Sequence, residues 1–156
     1  MKKKKVTIEE LKEIAVSFVK ELLNTRLCEE AVVVGLYGEL GSGKTVFTKE
    51  VARVLFIKEH VISPTFIIER IYHIPERTLV GENKHFDHLI HIDAYRLEKE
   101  EELEKLGWND IAADPRNLIF IEWPERVKKI LPKGHIQIHF KHIDEKTREI
   151  SISPSV

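Results

Sequence analysis

The sequence predicts a single α/β domain in three layers, with a mixed, mainly parallel sheet and an antiparallel C-terminal hairpin. Three observations carry that expectation. AVVVGLY (31–37), LIHID (89–93) and LIFIE (118–122) are short, continuous apolar runs, the pattern of strands buried on both faces. Stretches with helical periodicity alternate with them, as in a sheet covered by helices. The chain then turns to strict alternation. Ile136, Ile138 and Phe140 oppose His135, Gln137 and His139, and Ile150 and Ile152 resume the pattern after the turn DEKT (144–147), giving a hairpin with one wet face.

Taken in order, Lys2 to Lys5 form a basic head, and residues 1–6 are expected to be a flexible tail. Thr7 and Glu10 have the capping-box spacing. Behind them Leu11, Ile14, Ala15, Phe18, Val19, Leu22 and Leu23 recur at helical spacing, so 8–23 reads as an amphipathic helix. After the first strand, Gly38 to Gly43 interrupt the apolar run, and Phe47, Val51, Val54 and Leu55 resume a helical pattern. VISPTFIIERIY (61–72) reads as extended on both sides of Pro64, and the polar stretch 74–88 as a loop or hairpin tip. KEEELEKL (99–106) is a short helix ended by Gly107. Pro124 can open a helical turn running through Ile130.

Composition narrows the class. At 156 residues the chain has the length of one domain, and 42% hydrophobic with 33% charged residues describe a well-charged globule, not a disordered chain. No apolar run reaches the ~18 residues of a membrane span. The start, MKKKKVTIEE, has acids where a signal peptide would need its apolar stretch. A single cysteine, Cys28, excludes an intramolecular disulfide and suits a reducing compartment, so a cytoplasmic location is expected. Lys+Arg 25 against Asp+Glu 26 leaves a net charge of -1, which does not announce a nucleic-acid binder.

The chemistry begins at Gly38-Glu39-Leu40-Gly41-Ser42-Gly43-Lys44-Thr45, a full G-x-x-x-x-G-K-[ST] loop between a buried strand and a helix. Glycines let consecutive backbone N–H groups turn inward, and the helix N-terminus adds partial positive charge, so phosphate oxygens are cradled. Lys44 is expected to reach the β- and γ-phosphates, and the Thr45 hydroxyl to ligate Mg²⁺. Asp93 closes one apolar strand and Glu122 another. Ligands of such sheets sit beyond the carboxyl ends of the strands, so both carboxylates should face the phosphates. One is expected to support Mg²⁺ and the other to orient or deprotonate the attacking group. Ser63-Pro64-Thr65-Phe66 is a hydroxyl-rich turn that could sense a γ-phosphate, although spacing alone favours an ordinary turn.

Other signals carry less. His85, His88 and His91 are spaced H-x-x-H-x-x-H, but that spacing does not align side chains on a strand and no ligand set completes a zinc site. Asn83 to Asp87 nearly spells a guanine-reading motif with its Asp one place late, which leaves adenine as the expected base. Lys2 to Lys5 read as a solvated tail, and His135, His139 and Lys141 as the wet side of the hairpin.

Together these motifs resemble one family, TsaE (YjeE), the P-loop ATPase component of bacterial tRNA threonylcarbamoyladenosine biosynthesis. The resemblance rests on GELGSGKT (38–45), SPTF (63–66), HIDAYRL (91–97), LEKLG (103–107), IEWPER (121–126), Leu131-Pro132 and Thr147-Arg148. It implies a P-loop NTPase-type domain that binds ATP with Mg²⁺ and hydrolyses it weakly. It also implies association with a TsaB–TsaD pair that modifies the adenosine beside the anticodon of ANN-decoding tRNAs, so that tRNA is met indirectly. Carried over, Glu39, Leu40, Gly41, Ser42, Gly43, Lys44, Thr45, Val46, Thr65 and Trp123 bind nucleotide. Thr45 and Glu122 hold metal, and Asp93, Glu122 and Lys44 serve hydrolysis. Three features depart from the family pattern: Ala94 in place of a leucine, a longer polar stretch at 74–88, and Trp108-Asn109-Asp110 after the glycine. Two other functions fit the loop. A small-molecule kinase needs an arginine-rich lid, whereas residues 70–96 hold only Arg70, Arg77 and Arg96. A non-hydrolysing, ATP-gated scaffold would not need both Asp93 and Glu122.

Overall fold

Apolar strands that are wet on neither side need a cover on both, and the chain supplies two unequal ones. The structure, a computed structural model, describes residues 3–24, 29–83 and 85–153. Cys28, Lys2 and Lys84, which entered the expectations above, lie outside the described residues. In chain order the elements are β1 (Lys3–Thr7), α1 (Glu10–Asn24), β2 (Val32–Tyr37), α2 (Lys44–Val54), β3 (Glu69–His73), β4 (Arg77–Thr78) and β5 (Gly81–Glu82). They continue with β6 (His88–Asp93), α3 (Glu100–Lys105), α4 (Trp108–Ala113), β7 (Asn117–Glu122), a 3-10 turn (Pro124–Val127), β8 (Ile136–His142) and β9 (Thr147–Ser153).

Seven strands form one sheet in the order β1-β9-β8-β2-β7-β6-β3, and β4 with β5 makes a separate two-stranded ribbon. The middle four, β8, β2, β7 and β6, run parallel; β3 at one side and β9 at the other pair antiparallel with them, and β1 pairs antiparallel with β9. One face carries Val34, Leu36, Leu89, Leu118 and Phe120 under α1 and α2. There Phe18, Phe47 and Phe120 pack with ring centroids 5.7, 6.2 and 6.4 Å apart. The other face buries Val33, Ile90, Ile92, Ile119 and Ile121 beneath Leu103 and Trp108 of the short helices and Val127 of the turn. The mixed α/β architecture expected from the sequence is the one observed.

The capping box forms: the Thr7 N–H donates to Glu10 Oε2 at 2.7 Å, and the Glu10 N–H to Thr7 Oγ1 at 3.2 Å. Three expectations change. The basic tail is not a tail from Lys3 onward, because Lys3 to Thr7 pair antiparallel with β9, and Val6 lies in the core at 1% exposure. Pairing covers the otherwise open edge of β9, and Lys3 meets Glu149 at 3.1 Å. The extended stretch at 61–72 is a strand only from Glu69. Before it the chain folds back, with the N–H groups of Ile67 and Ile68 donating to the Pro64 carbonyl at 2.9 and 2.6 Å. Finally, Gly107 at φ 90 not only ends α3 but starts α4, a helix the sequence reading did not assign. The expected hairpin at the end is present, but β8 also pairs with β2, so the sheet's outer edge is β1.

If β1 is structural, Val6→Ala should lower stability by about 2 kcal/mol, two methyl groups at ~0.8 kcal/mol each plus a small cavity. Urea denaturation reads this directly, and an unchanged midpoint would restore the flexible tail.

Candidate functional site

The parallel register sets the site. Leu36 of β2 stands beside Glu122 of β7, and Glu122 beside Asp93 of β6, so both carboxylates end neighbouring strands on one face. Beyond β2 the chain makes a tight loop with Gly38, Gly41 and Gly43 at φ 145, 75 and 109. Gly38 has a second reason to be glycine: a Cβ there would sit 2.5 Å from the Phe140 carbonyl oxygen and 2.7 Å from Ser42 Oγ. The loop hands over to α2 at Lys44, whose first turn leaves its N–H groups facing the loop.

Every charge in this cleft has a partner. The Lys44 ammonium donates to the carbonyls of Gly38 at 2.6 Å and Glu39 at 3.0 Å, and lies 4.2 Å from the Trp123 ring centroid. Burial pushes its pKa below that of an ordinary lysine, against the opposing pull of Glu122, Glu125 and Asp93. The Thr45 hydroxyl donates to Glu122 Oε1 at 2.7 Å, and His91 Nε2 lies 2.9 Å from the same oxygen. Asp93 Oδ2 accepts from the hydroxyls of Thr65 at 2.6 Å and Ser63 at 3.2 Å, while Oδ1 accepts the Tyr95 N–H at 3.0 Å. Trp123 takes a left-handed backbone at φ 59 to turn its ring over Lys44.

These groups open into a cleft of about 280 Å³. It is lined by Leu40 to Val46, Thr65, Asp93, Glu122 and Trp123, which brings together every residue expected to bind nucleotide, hold metal or serve hydrolysis except Glu39, whose carbonyl is bonded to Lys44. The donor set is a hydroxyl and two carboxylates, hard oxygens of the kind magnesium takes. Ser42 Oγ is buried in the loop without a partner, a free donor beside the cradle. The residues therefore fit a phosphate chain with its magnesium, and Thr45 and Glu122 are the pair that could hold the metal.

Sequence reasoning missed several members. Ile8 and Leu11 of the N-terminal segment, Tyr95, and Arg148 of β9 also line the cleft. Arg148 donates to the Asp144 and Thr147 carbonyls at 2.5 and 2.9 Å and reaches the Gly41 carbonyl at 3.5 Å. The three histidines separate, with His85 bonded to the Leu23 carbonyl at 2.9 Å and His91 buried beside Glu122. Among the described residues no three His, Cys, Asp or Glu side chains come together as a metal site, and no helix is long and apolar enough to cross a membrane.

A strand, a glycine loop and a helix, flanked by carboxylates at the ends of adjacent parallel strands, define a P-loop domain. The comparisons with known proteins narrow the class. The sequence model of "Threonylcarbamoyl adenosine biosynthesis protein TsaE" matches residues 6–150, and the chain belongs to that family. A TsaE of Bacillus subtilis is 33% identical over 153 residues, 98% of this chain and 85% of the relative. One of Rickettsia prowazekii is 36% identical over 121 residues, 77% of this chain and 76% of its own length. The crystal structure of Bacillus subtilis YdiB matches with a TM-score of 0.70 at 27% identity, covering 99% of this chain and 87% of that one.

The two loop glycines should respond differently to a methyl group. Gly38→Ala meets both strain and a backbone clash and should cost about 3 kcal/mol or more. Gly41→Ala has open space around it and should cost only the left-handed penalty of about 1–2 kcal/mol. Equal losses in thermal or urea unfolding would contradict the tight apposition of the loop to β8.

Proposed function

We propose that this chain binds ATP with Mg²⁺ and is a weak, partner-activated ATPase. On this reading it works with TsaB- and TsaD-like proteins in the cytoplasm, in threonylcarbamoyl modification of the adenosine beside the anticodon of ANN-decoding tRNAs. One observation carries the reading: Lys44, Thr45, Glu122 and Asp93 converge on a single cleft at the start of α2. Family membership supplies the pathway, and its curated relatives carry the same pathway in their names.

Each residue then has a task. Lys44 leaves two backbone carbonyls for the phosphates, exchanging neutral acceptors for charged ones. The backbone N–H groups of the loop and the unpartnered Ser42 hydroxyl add donors. Thr45 and Glu122 turn their oxygens from each other toward the metal. Magnesium, when bound, offsets the charge that develops on the phosphate oxygens. Asp93 stands across from that pair and can orient a water or accept its proton once Ser63 or Thr65 lets go.

The weakness of hydrolysis has a structural correlate. Among the described residues lining the cleft there is no glutamine to orient water, and the lining arginine, Arg148, is committed to backbone carbonyls. P-loop enzymes without such groups are slow, and a group supplied in trans can raise the rate by 10³–10⁵. The Ser63–Thr65 turn and Trp123 border the γ-phosphate position, so they are the elements a partner would read.

Lys44→Ala should lose most of its ATP affinity by calorimetry. Asp93→Asn and Glu122→Gln should keep nucleotide binding but lower hydrolysis by roughly 10²-fold each. Wild-type binding in the lysine variant, or normal turnover in both carboxylate variants, would contradict the assignment. Phosphate release by the isolated chain should be slow and rise at least about tenfold with a TsaB–TsaD-like pair, a cautious fraction of the range for groups supplied in trans. Rapid hydrolysis by the chain alone would overturn partner activation, and phosphate appearing on a small-molecule acceptor would favour a kinase instead.

A further inference from the structure

His91 is the one imidazole sealed inside the sheet's core, at 0% exposure. It occupies β6 two residues before Asp93, so the two share a face, and its neighbours Ile90 and Ile92 belong to the opposite one. A polar ring is costly to bury in such a place unless its nitrogens are used. One of them is: Nε2 lies 2.9 Å from Glu122 Oε1, the oxygen that also receives the Thr45 hydroxyl at 2.7 Å. The other, Nδ1, is buried with no partner.

The register sets Arg70 of β3 directly opposite His91, but the Arg70 Nε is likewise buried without a partner, so the two side chains do not bond each other. A carboxylate oxygen can only accept, so the proton belongs on Nε2, facing Glu122, and Nδ1 keeps the lone pair.

We propose that His91 is a positioning residue for Glu122, its Nε2–H holding the carboxylate oxygen that Thr45 also reaches. The chain His91–Glu122–Thr45 then runs from the buried middle of β6 to the start of α2. Without the imidazole, Oε1 keeps only the Thr45 hydroxyl, the donor that must turn away when metal binds. The proposal rests on the reading of Glu122 as the metal-supporting carboxylate. Partners of this kind typically change metal affinity 10–100-fold when removed.

The test pairs two variants of equal length, His91→Gln, whose amide nitrogen reaches the Nε2 position, and His91→Met, which has no donor. Mn²⁺ replaces Mg²⁺, and binding of Mn²⁺–ATP is followed by electron paramagnetic resonance, with ATP binding in EDTA measured alongside. His91→Met should weaken Mn²⁺–ATP by 10–100-fold and leave metal-free ATP binding unchanged, while His91→Gln stays close to wild type. Nitrogen-15 NMR of the metal-free protein should show His91 protonated at Nε2 with a lone-pair Nδ1. Equal losses in the Gln and Met variants, or an Nδ1–H tautomer, would overturn the proposal. Failure of the wild type to bind ATP at all would instead overturn the nucleotide reading, and the tautomer would still decide the role of His91.

Discussion

The site depends on one constraint, the parallel register that sets Leu36, Glu122 and Asp93 abreast across three strands. Because side chains alternate with a period of two, a slip of one residue in β7 would send Glu122 to the opposite face and bring Ile121 to the loop. The apolar residues enforce that register. Leu118 and Phe120 must face α1 and α2, and Ile119 and Ile121 must face the short helices on the other side. Core packing and the placement of the carboxylates are therefore one requirement, met by the same six residues of β7.

Around that row, burial is balanced by convergence. A lysine and two carboxylates out of water would each be expensive alone. Here Lys44 is held by two carbonyls and a tryptophan ring, Glu122 by a threonine and a histidine, and Asp93 by two hydroxyls and a backbone N–H. Most of these partners are exchangeable. Hydroxyls rotate, and a carbonyl-bound ammonium can leave for a phosphate without breaking secondary structure. Such a network suits a site that must hold its shape before and after a ligand arrives. The Ser63–Thr65 turn is the most consequential partner, since it hangs on Asp93 at one end and leads at the other through Ile68, at φ 68, into β3. Movement of that turn alters both a carboxylate and a sheet edge.

Much of this was legible in the chain. The buried strands announced themselves as apolar runs, α1 by its period and its cap, and the loop by eight consecutive residues. Asp93 and Glu122 were found because each ends a strand. The rest depended on partners far along the sequence. β1 was obscured because Lys3, Lys4 and Lys5 look solvated, and only β9 tells Val6 that it is inside. α4 was missed because Gly107 reads as a stop, whereas at φ 90 it is also a start. Arg148 counted toward the family resemblance, but it lies over a hundred residues from the loop it touches, so no local pattern placed it in the cleft. His91 did carry a readable signal. It shares parity with Asp93 on a strand, which separates it from His85 and His88, but a three-residue spacing drew attention to the wrong grouping.

The central claim is that this row of strand ends, closed by the loop, is a magnesium–triphosphate site. A crystal structure with magnesium and a non-hydrolysable ATP analogue tests it most directly. The account predicts the triphosphate cradled by residues 38–45, Lys44 drawn from the Gly38 carbonyl to the phosphates, and magnesium on the Thr45 hydroxyl with Glu122 beside it. Triphosphate bound away from that loop, or metal held by neither residue, would contradict it.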